Sequence, residues 1–191
     1  MKKLLLITGD LATGKSTLSN VLAKRYQITV FQKDSIKEVL GDYIGFANRE
    51  ENLKLSRTTM GLMFYIFEQF TKQGKALILE ANFHEEELKR LHEIAGENGY
   101  QILTLVLRGD TQLLHKRYCN RMQNENRHPV HLSTTLDQFD DFKEYLEKSR
   151  KEWIPGDVEY VDASDFSYQT DDKILSRIDH FINGKENFIR K

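Results

Sequence analysis

Two rhythms of apolar and polar residues divide this chain. Short β-prone runs fall at Lys3–Thr8, Ile28–Gln32, Ala76–Glu80, Gln101–Leu107 and Val158–Val161, and read as strands. Between them the spacing turns helical. Lys15–Tyr26 carries Leu18, Val21 and Leu22 on one face, and 52–73 repeats Met60, Met63, Phe64, Phe67 and Phe70 in the stripe of a packed helix, with Gly74 as its C-cap. Glu85–Glu87 sit where a helix dipole favours acids, at the start of a helix carrying Leu88, Leu91, Ile94 and Ala95. Further helices are expected at Thr111–Gln123, Leu136–Lys151 and Asp171–Ile182, and a short one at Ser35–Leu40. Strand alternating with helix five times implies a parallel sheet with right-handed crossovers, hence an α/β fold of three layers, an α/β/α sandwich. No repeat, low-complexity tract or flexible linker interrupts the pattern. Residues 1–184 are therefore expected to form a single domain with an inserted lid at about 110–135, followed by a charged tail over 185–191.

The first strand runs directly into Gly9-Asp10-Leu11-Ala12-Thr13-Gly14-Lys15-Ser16, a GxxxxGKS loop that opens a helix. Gly9 and Gly14 let the backbone turn its N–H groups into one anion-sized hollow at the positive end of that helix, with Asp10, Ala12 and Thr13 completing the loop. Lys15 places a point charge between β- and γ-phosphates, the Ser16 hydroxyl can ligate Mg²⁺, and Thr17 can bond an α-phosphate oxygen. The loop thus points to a nucleoside triphosphate with Mg²⁺.

Other chemistry clusters at strand ends, where a parallel sheet opens its ligand crevice. Asp34, just past the second strand, can accept the proton of an attacking hydroxyl, or it can simply N-cap the following helix. Glu80 closes the third strand and offers oxygen to Mg²⁺ or to the attacking group. Asn82 can hydrogen-bond the acceptor or cap the Glu-rich helix. Arg117 and Arg121 lie four apart, on one helical face within a basic block, and can close over a triphosphate or remain a solvated face. Arg49, Lys54 and Arg57, in the segment Gly41–Thr59, supply positive charge suited to an anionic acceptor or to a solvated helix face. His128-Pro129-Val130-His131 has no partner cluster for a metal and reads as a lid turn.

The 191 residues carry 28 Lys and Arg against 29 Asp and Glu, a net charge of −1, which weighs against a generic polynucleotide binder. One cysteine, Cys119, excludes an internal disulfide framework and suits a reducing cytoplasm. The apolar run after Met1-Lys2-Lys3 is too short for a signal peptide, and no stretch reaches the roughly 18 apolar residues of a membrane span.

With these residues in place, the chain resembles the P-loop kinase group that includes the AAA_33-type small kinases and the kinase domain of phage polynucleotide kinases. Chloramphenicol phosphotransferases and zeta-toxin-like kinases are more distant. The shared elements are the phosphate loop, Lys33-Asp34, Glu80-Ala81-Asn82 and Lys116-Arg117 with Arg121, and they cover most of the chain. The resemblance implies a five-stranded sheet ordered 2-3-1-4-5, with Asp34 as general base, Arg121 as the transition-state arginine and Arg117 as a nucleotide or lid contact. Val161-Asp162-Ala163-Ser164 is similar to the adenine-side loop of these kinases, making Ala163 and Ser164 nucleotide contacts. Arg127–His131 is similar to a lid sequence of the small kinases. Glu80 stands where Asp is more usual, and the phosphatase domain of the phage enzymes is absent.

The expected activity is ATP- and Mg²⁺-dependent transfer of the γ-phosphate to a hydroxyl of a small-molecule or nucleotide-like acceptor. Asp34, Arg57, Glu80 and Asn82 would line the acceptor site. Two rival readings are an ATP-sensing module without an acceptor and a 5′-hydroxyl polynucleotide kinase, the latter marked by affinity that falls steeply with salt.

Overall fold

Leu4, Leu5, Leu6 and Ile7 are fully buried, which only a strand covered on both faces allows. They lie in β1 (Lys3–Gly9), the middle strand of the sheet. The computed structural model describes residues 2–124, 127–132 and 136–184. In chain order β1 is followed by α1 (Lys15–Tyr26), β2 (Thr29–Gln32), α2 (Lys33–Ile44), α3 (Arg49–Gln73), β3 (Leu77–Glu80) and α4 (Glu85–Asn98). Then come β4 (Gln101–Arg108), α5 (Thr111–Asn124), a 3₁₀ turn at Pro129–His131, α6 (Phe139–Ser149), β5 (Asp157–Asp162), a 3₁₀ turn at Ser167–Gln169 and α7 (Asp172–Asn183).

The sheet order is β2-β3-β1-β4-β5, all parallel. Successive side chains of β1 alternate between two cores. Leu5 and Ile7 pack with Leu18 and Leu22 of α1 and Ile178 of α7. Leu4 and Leu6 pack with Met63 and Phe67 of α3 and Leu91 of α4. At about 1.5–3 kcal/mol for each large apolar side chain buried, these four contribute roughly 6–12 kcal/mol to the drive to fold. A smaller cluster of Leu114, Tyr118, Phe142 and Leu146 joins α5 to α6.

The register pairs Ile7 with Glu80 and Gly9 with Leu107, so β1, β3 and β4 end level and their carboxyl ends open onto one crevice. Among the described residues no helix is long and apolar enough to cross a membrane.

Three expected boundaries shift. The second helix starts at Lys33, not Ser35, because β2 feeds it without a loop and Gln32 holds the extended N-cap position. The third starts at Arg49 rather than Asn52, since the Asn48 side chain accepts from Glu51 N (3.0 Å) while the Glu51 carboxylate accepts from Ala47 N (2.6 Å). The sixth starts at Phe139, not Leu136, with Leu136 N donating instead to the Tyr118 hydroxyl. The expected tail over 185–191, and residues 125–126 and 133–135 of the expected lid, lie outside the described residues.

Candidate active site

The loop after β1 is built on two glycines. Gly9 has φ +120°, and a Cβ there would stand 2.1 Å from the Leu107 carbonyl oxygen of β4, so only hydrogen fits. Gly14 has φ +83° and precedes α1 without any side-chain cap. The first N–H groups of α1 therefore keep their donors for a ligand, and the helix dipole adds positive potential there. Tyr168, buried in the core, donates its hydroxyl to the Thr13 carbonyl (2.7 Å) and ties the loop to the segment after β5. Thr13 Oγ1 in turn donates to the Asp10 carbonyl (2.9 Å).

Lys15 folds over this hollow, its ammonium donating to the carbonyls of Asp10 (2.5 Å) and Gly9 (3.3 Å). Burial lowers its pKa, against the pull of Glu80, Asp34 and Asp10. Glu80 is buried at the end of β3, and its Oε2 accepts from the Ser16 hydroxyl at 3.0 Å. Burial pushes the Glu80 carboxyl up, with Lys15 and the Ser16 hydroxyl opposing it.

Ser16 and Glu80 are adjacent hard oxygen donors lining the cleft, and they fit Mg²⁺, which takes one or two protein oxygens and fills its octahedron with phosphate oxygens and water. Among the described residues no group of three His, Cys, Asp or Glu could cage a metal by itself.

All of this faces a cleft of about 820 Å³. Ala12, Thr13, Gly14 and Thr17 line its floor together with Lys15 and Ser16. Asp34 lines it from the first turn of α2, exposed and inside the helix, so the N-cap alternative is set aside. Its charge acts on Lys15, Glu80 and Lys37. Arg121 of α5 lines the cleft from above, and its charge acts on both Lys15 and Glu80. Asn82 also lines it, and its Oδ1 is buried without a hydrogen-bond partner.

Four sequence candidates are placed differently from the expectation. The Asp10 carboxylate turns out of the cleft into a buried pair with Arg150, whose Nη2 stands 2.5 Å from Oδ2, and it also accepts from Gly109 N (3.2 Å). Only the backbone of Asp10 belongs to the loop. Arg57 is exposed on α3, and its neighbour Ser56 lines the cleft in its place. Ala163 and Ser164 stand behind the wall: their carbonyls accept from Arg117 Nη1 (2.7 Å) and Nη2 (2.8 Å). Arg117 and Phe166 line the cleft in front of them, with the guanidinium 4.4 Å from the ring centroid.

Phe166, Lys37 and Arg150 were not among the sequence candidates. Phe166 had a usable signal, an aromatic in the polar run Asp165–Gln169 just past the last strand. Lys37 and Arg150 had none, because their partners lie far away in sequence.

The turn at Pro129–His131 docks on α2. His128 Nε2 stands 2.9 Å from Asp42 and His131 Nε2 2.8 Å from Glu38, one helical turn apart, with Val130 buried between them against Gly41.

No curated protein matches the chain. A candidate kinase from Chloroflexus aurantiacus J-10-fl shares 25% identity and superposes with a TM-score of 0.78, covering 94% of this chain and 97% of that one. Shikimate kinase from Bacteroides thetaiotaomicron has the same fold at 14% identity and a TM-score of 0.57, covering 94% of this chain and 98% of its own. Gluconokinase from Sinorhizobium meliloti 1021 has it at 13% identity and a TM-score of 0.54, covering 97% and 98%. The family model of the AAA domain AAA_33 matches residues 4–148, which include the loop, Asp34, Glu80, Arg117 and Arg121. The chain belongs to the AAA_33 family.

Proposed function

We propose that this protein is an ATP-dependent phosphotransferase that moves the γ-phosphate to a hydroxyl of a small-molecule acceptor. The observation that carries this reading is the meeting of Asp34, Lys15, Glu80 and Arg121 on one cleft, with an uncapped helix N-terminus at its floor. The 25% identical relative described as a candidate kinase supports it, as do neighbours that are small-molecule kinases by name.

In this reading the N–H groups of 12–16 and the Lys15 ammonium hold the β- and γ-phosphates. Ser16 and Glu80 would hold Mg²⁺, which when bound neutralises charge on the phosphate oxygens. Arg117 and Phe166 form a flat, cationic wall against which a nucleotide base can stack. Asp34 accepts the proton of the acceptor hydroxyl as that oxygen bonds to the γ-phosphorus and the bond to the bridging oxygen breaks, leaving the electron pair on ADP. Arg121 donates to the equatorial oxygens as negative charge spreads over them.

The experiment is acceptor-dependent ADP release in wild type and Asp34→Asn. The variant keeps ATP affinity and loses roughly 10²–10⁴ in kcat, the contribution of a positioned base. Full acceptor-dependent turnover in Asp34→Asn would remove Asp34 from this role.

A further inference from the structure

On the acceptor side of the cleft, one turn along α2 from Asp34, Lys37 is only 8% exposed and yet lines the wall. Its ammonium donates to two neutral oxygens, Asn52 Oδ1 at 2.6 Å and the Val130 carbonyl at 3.1 Å. An ammonium has three N–H donors, so one is left for the cleft. Among the described residues no carboxylate pairs with it. Its neighbours Glu38 and Asp42 turn instead to His131 and His128. Holding an unpaired ammonium away from water costs several kcal/mol. Such a site is retained where a counter-charge arrives with the ligand.

The surroundings point the same way. Lys33, one turn earlier on α2, reaches Glu87 only at 3.7 Å and also lines the cleft, as does Arg127. Asn52 Nδ2 donates to the same Val130 carbonyl (2.9 Å), so the Lys37 head is held from two sides rather than left to swing. Asp34 is the nearby negative charge, and an anionic ligand beside it needs a cation between the two.

We propose that the acceptor carries, besides the hydroxyl that is phosphorylated, an anionic group, a carboxylate or a phosphate, bound by Lys37. This rests on the phosphotransferase reading of the cleft and adds the acceptor's chemical class to it. Side chains three residues apart on a helix stand about 5–6 Å apart at Cβ, which sets the scale of the separation between the reacting hydroxyl and the acid. The cations expected from the sequence to serve this role, Arg49, Lys54 and Arg57, lie outside the cleft wall.

The test uses matched neutral and acidic compounds: sorbitol and gluconate, glycerol and glycerol 3-phosphate, ribose and ribose 5-phosphate. ADP release and calorimetric binding are measured for wild type, Lys37→Met, Asn52→Asp and the exposed control Lys54→Met. The expected result is that an acidic member is bound or used about tenfold or more better than its neutral partner. Whether gluconate or the phosphate esters lead identifies the anion as carboxylate or phosphate. Lys37→Met shrinks the preference to about threefold or less, the loss expected when one partner of a charge pair is removed. Asn52→Asp, which gives Lys37 an internal counter-charge and gives up the Nδ2 bond to the Val130 carbonyl, also shrinks it although the lysine is kept, an outcome a merely structural lysine would not give. Lys54→Met leaves the preference unchanged.

An equal or stronger response to the neutral members, or an acid preference that survives both Lys37→Met and Asn52→Asp, overturns the proposal. So does no binding of any acidic member. Lys37-dependent binding of an acid that is never phosphorylated leaves the anion site standing and overturns the phosphotransferase reading instead.

Discussion

On the floor of the cleft, Gly14, Lys15 and Ser16 come from one continuous stretch, and their positions are dictated by backbone geometry between Gly9 at the end of β1 and α1. On the opposite wall, Asp34 and Lys37 of α2, Ser56 of α3, Asn82 after β3 and Val130 of the docked turn come from four separated stretches. The floor is fixed by φ angles and close strand contacts that admit no other residue. The wall is fixed by side-chain hydrogen bonds, such as Lys37 to Val130 O across 93 positions of sequence. A floor of this kind keeps one ligand, while a wall assembled from separate segments can change its ligand by changing a few side chains without disturbing the sheet.

The sharpest break of this comparison is Gly9→Ala. The new Cβ would stand 2.1 Å from Leu107 O and 2.6 Å from Leu107 N, at φ +120°, at the carboxyl end of the β1–β4 pairing. The backbone cannot yield without losing the bond from Asp10 N to Leu107 O (2.8 Å). We expect a loss of about 3 kcal/mol or more, out of a typical 5–15, together with loss of ATP binding. Urea denaturation and nucleotide calorimetry check this. A variant of near wild-type stability would show the floor to be less rigid than its geometry implies.

A second effect belongs to the nucleotide side, where Glu80 of β3 meets Ser16 of the floor. Burial pushes the Glu80 carboxyl up from 4.5, outweighing Lys15 and the Ser16 hydroxyl. As pH falls through that raised value, the carboxylate takes a proton and ceases to be an oxygen donor. Affinity for Mg·ADP should therefore drop by about tenfold per pH unit on the acid side, starting above 4.5. Higher Mg²⁺ shifts the drop to lower pH, because cation and proton compete for the same oxygen. In Glu80→Gln this limb disappears and affinity is low throughout. Calorimetry against pH measures it without any acceptor, so Asp34 enters only through its charge, which raises Glu80 further, and not as a base.

The same contrast governs how much was legible in the sequence. The alternation of strands and helices, and a GxxxxGKS loop between a strand and a helix, are local signals, and they gave the layers and the floor. The sheet order came only through the resemblance, since no single strand states its neighbours. Asp34 was visible as a carboxylate past a strand end, but its place inside α2 was not, because Lys33-Asp34 carries no helix-start signal and the cap is made by the backbone at Gln32. Asp10 looked like a ligand residue by position; its pairing with Arg150, 140 residues away, is a tertiary contact with no local trace. Lys37 reads in sequence as one more cation on an amphipathic helix, and only the docked turn buries it. Arg57 shows the converse: its helix was foreseen, but the one-residue difference that brings Ser56 to the cleft depends on how α3 is rotated against the sheet.

The smallest effect tests the wall. Gly41 is buried on α2 in ordinary helical backbone, and a Cβ there would stand 2.4 Å from Val130 Cγ1 and 3.1 Å from His128 Cε1. Both neighbours are side chains of the docked turn, not strand backbone as at Gly9. Gly41→Ala gains about 1 kcal/mol of helix propensity and displaces the turn, so overall stability should change by less than about 1 kcal/mol. The displaced Val130 carbonyl would loosen its bonds with Lys37 and Asn52, and the wall would lose its fixed geometry. We expect the acceptor KM to rise by about three- to tenfold, the loss of roughly one hydrogen bond's worth of positioning, with Kd for ATP unchanged. Steady-state kinetics in acceptor and calorimetry in nucleotide separate the two. If Gly41→Ala instead weakened ATP and spared the acceptor, the docked turn would belong to the floor, and the contrast between the two sides of the cleft would have to be redrawn around it.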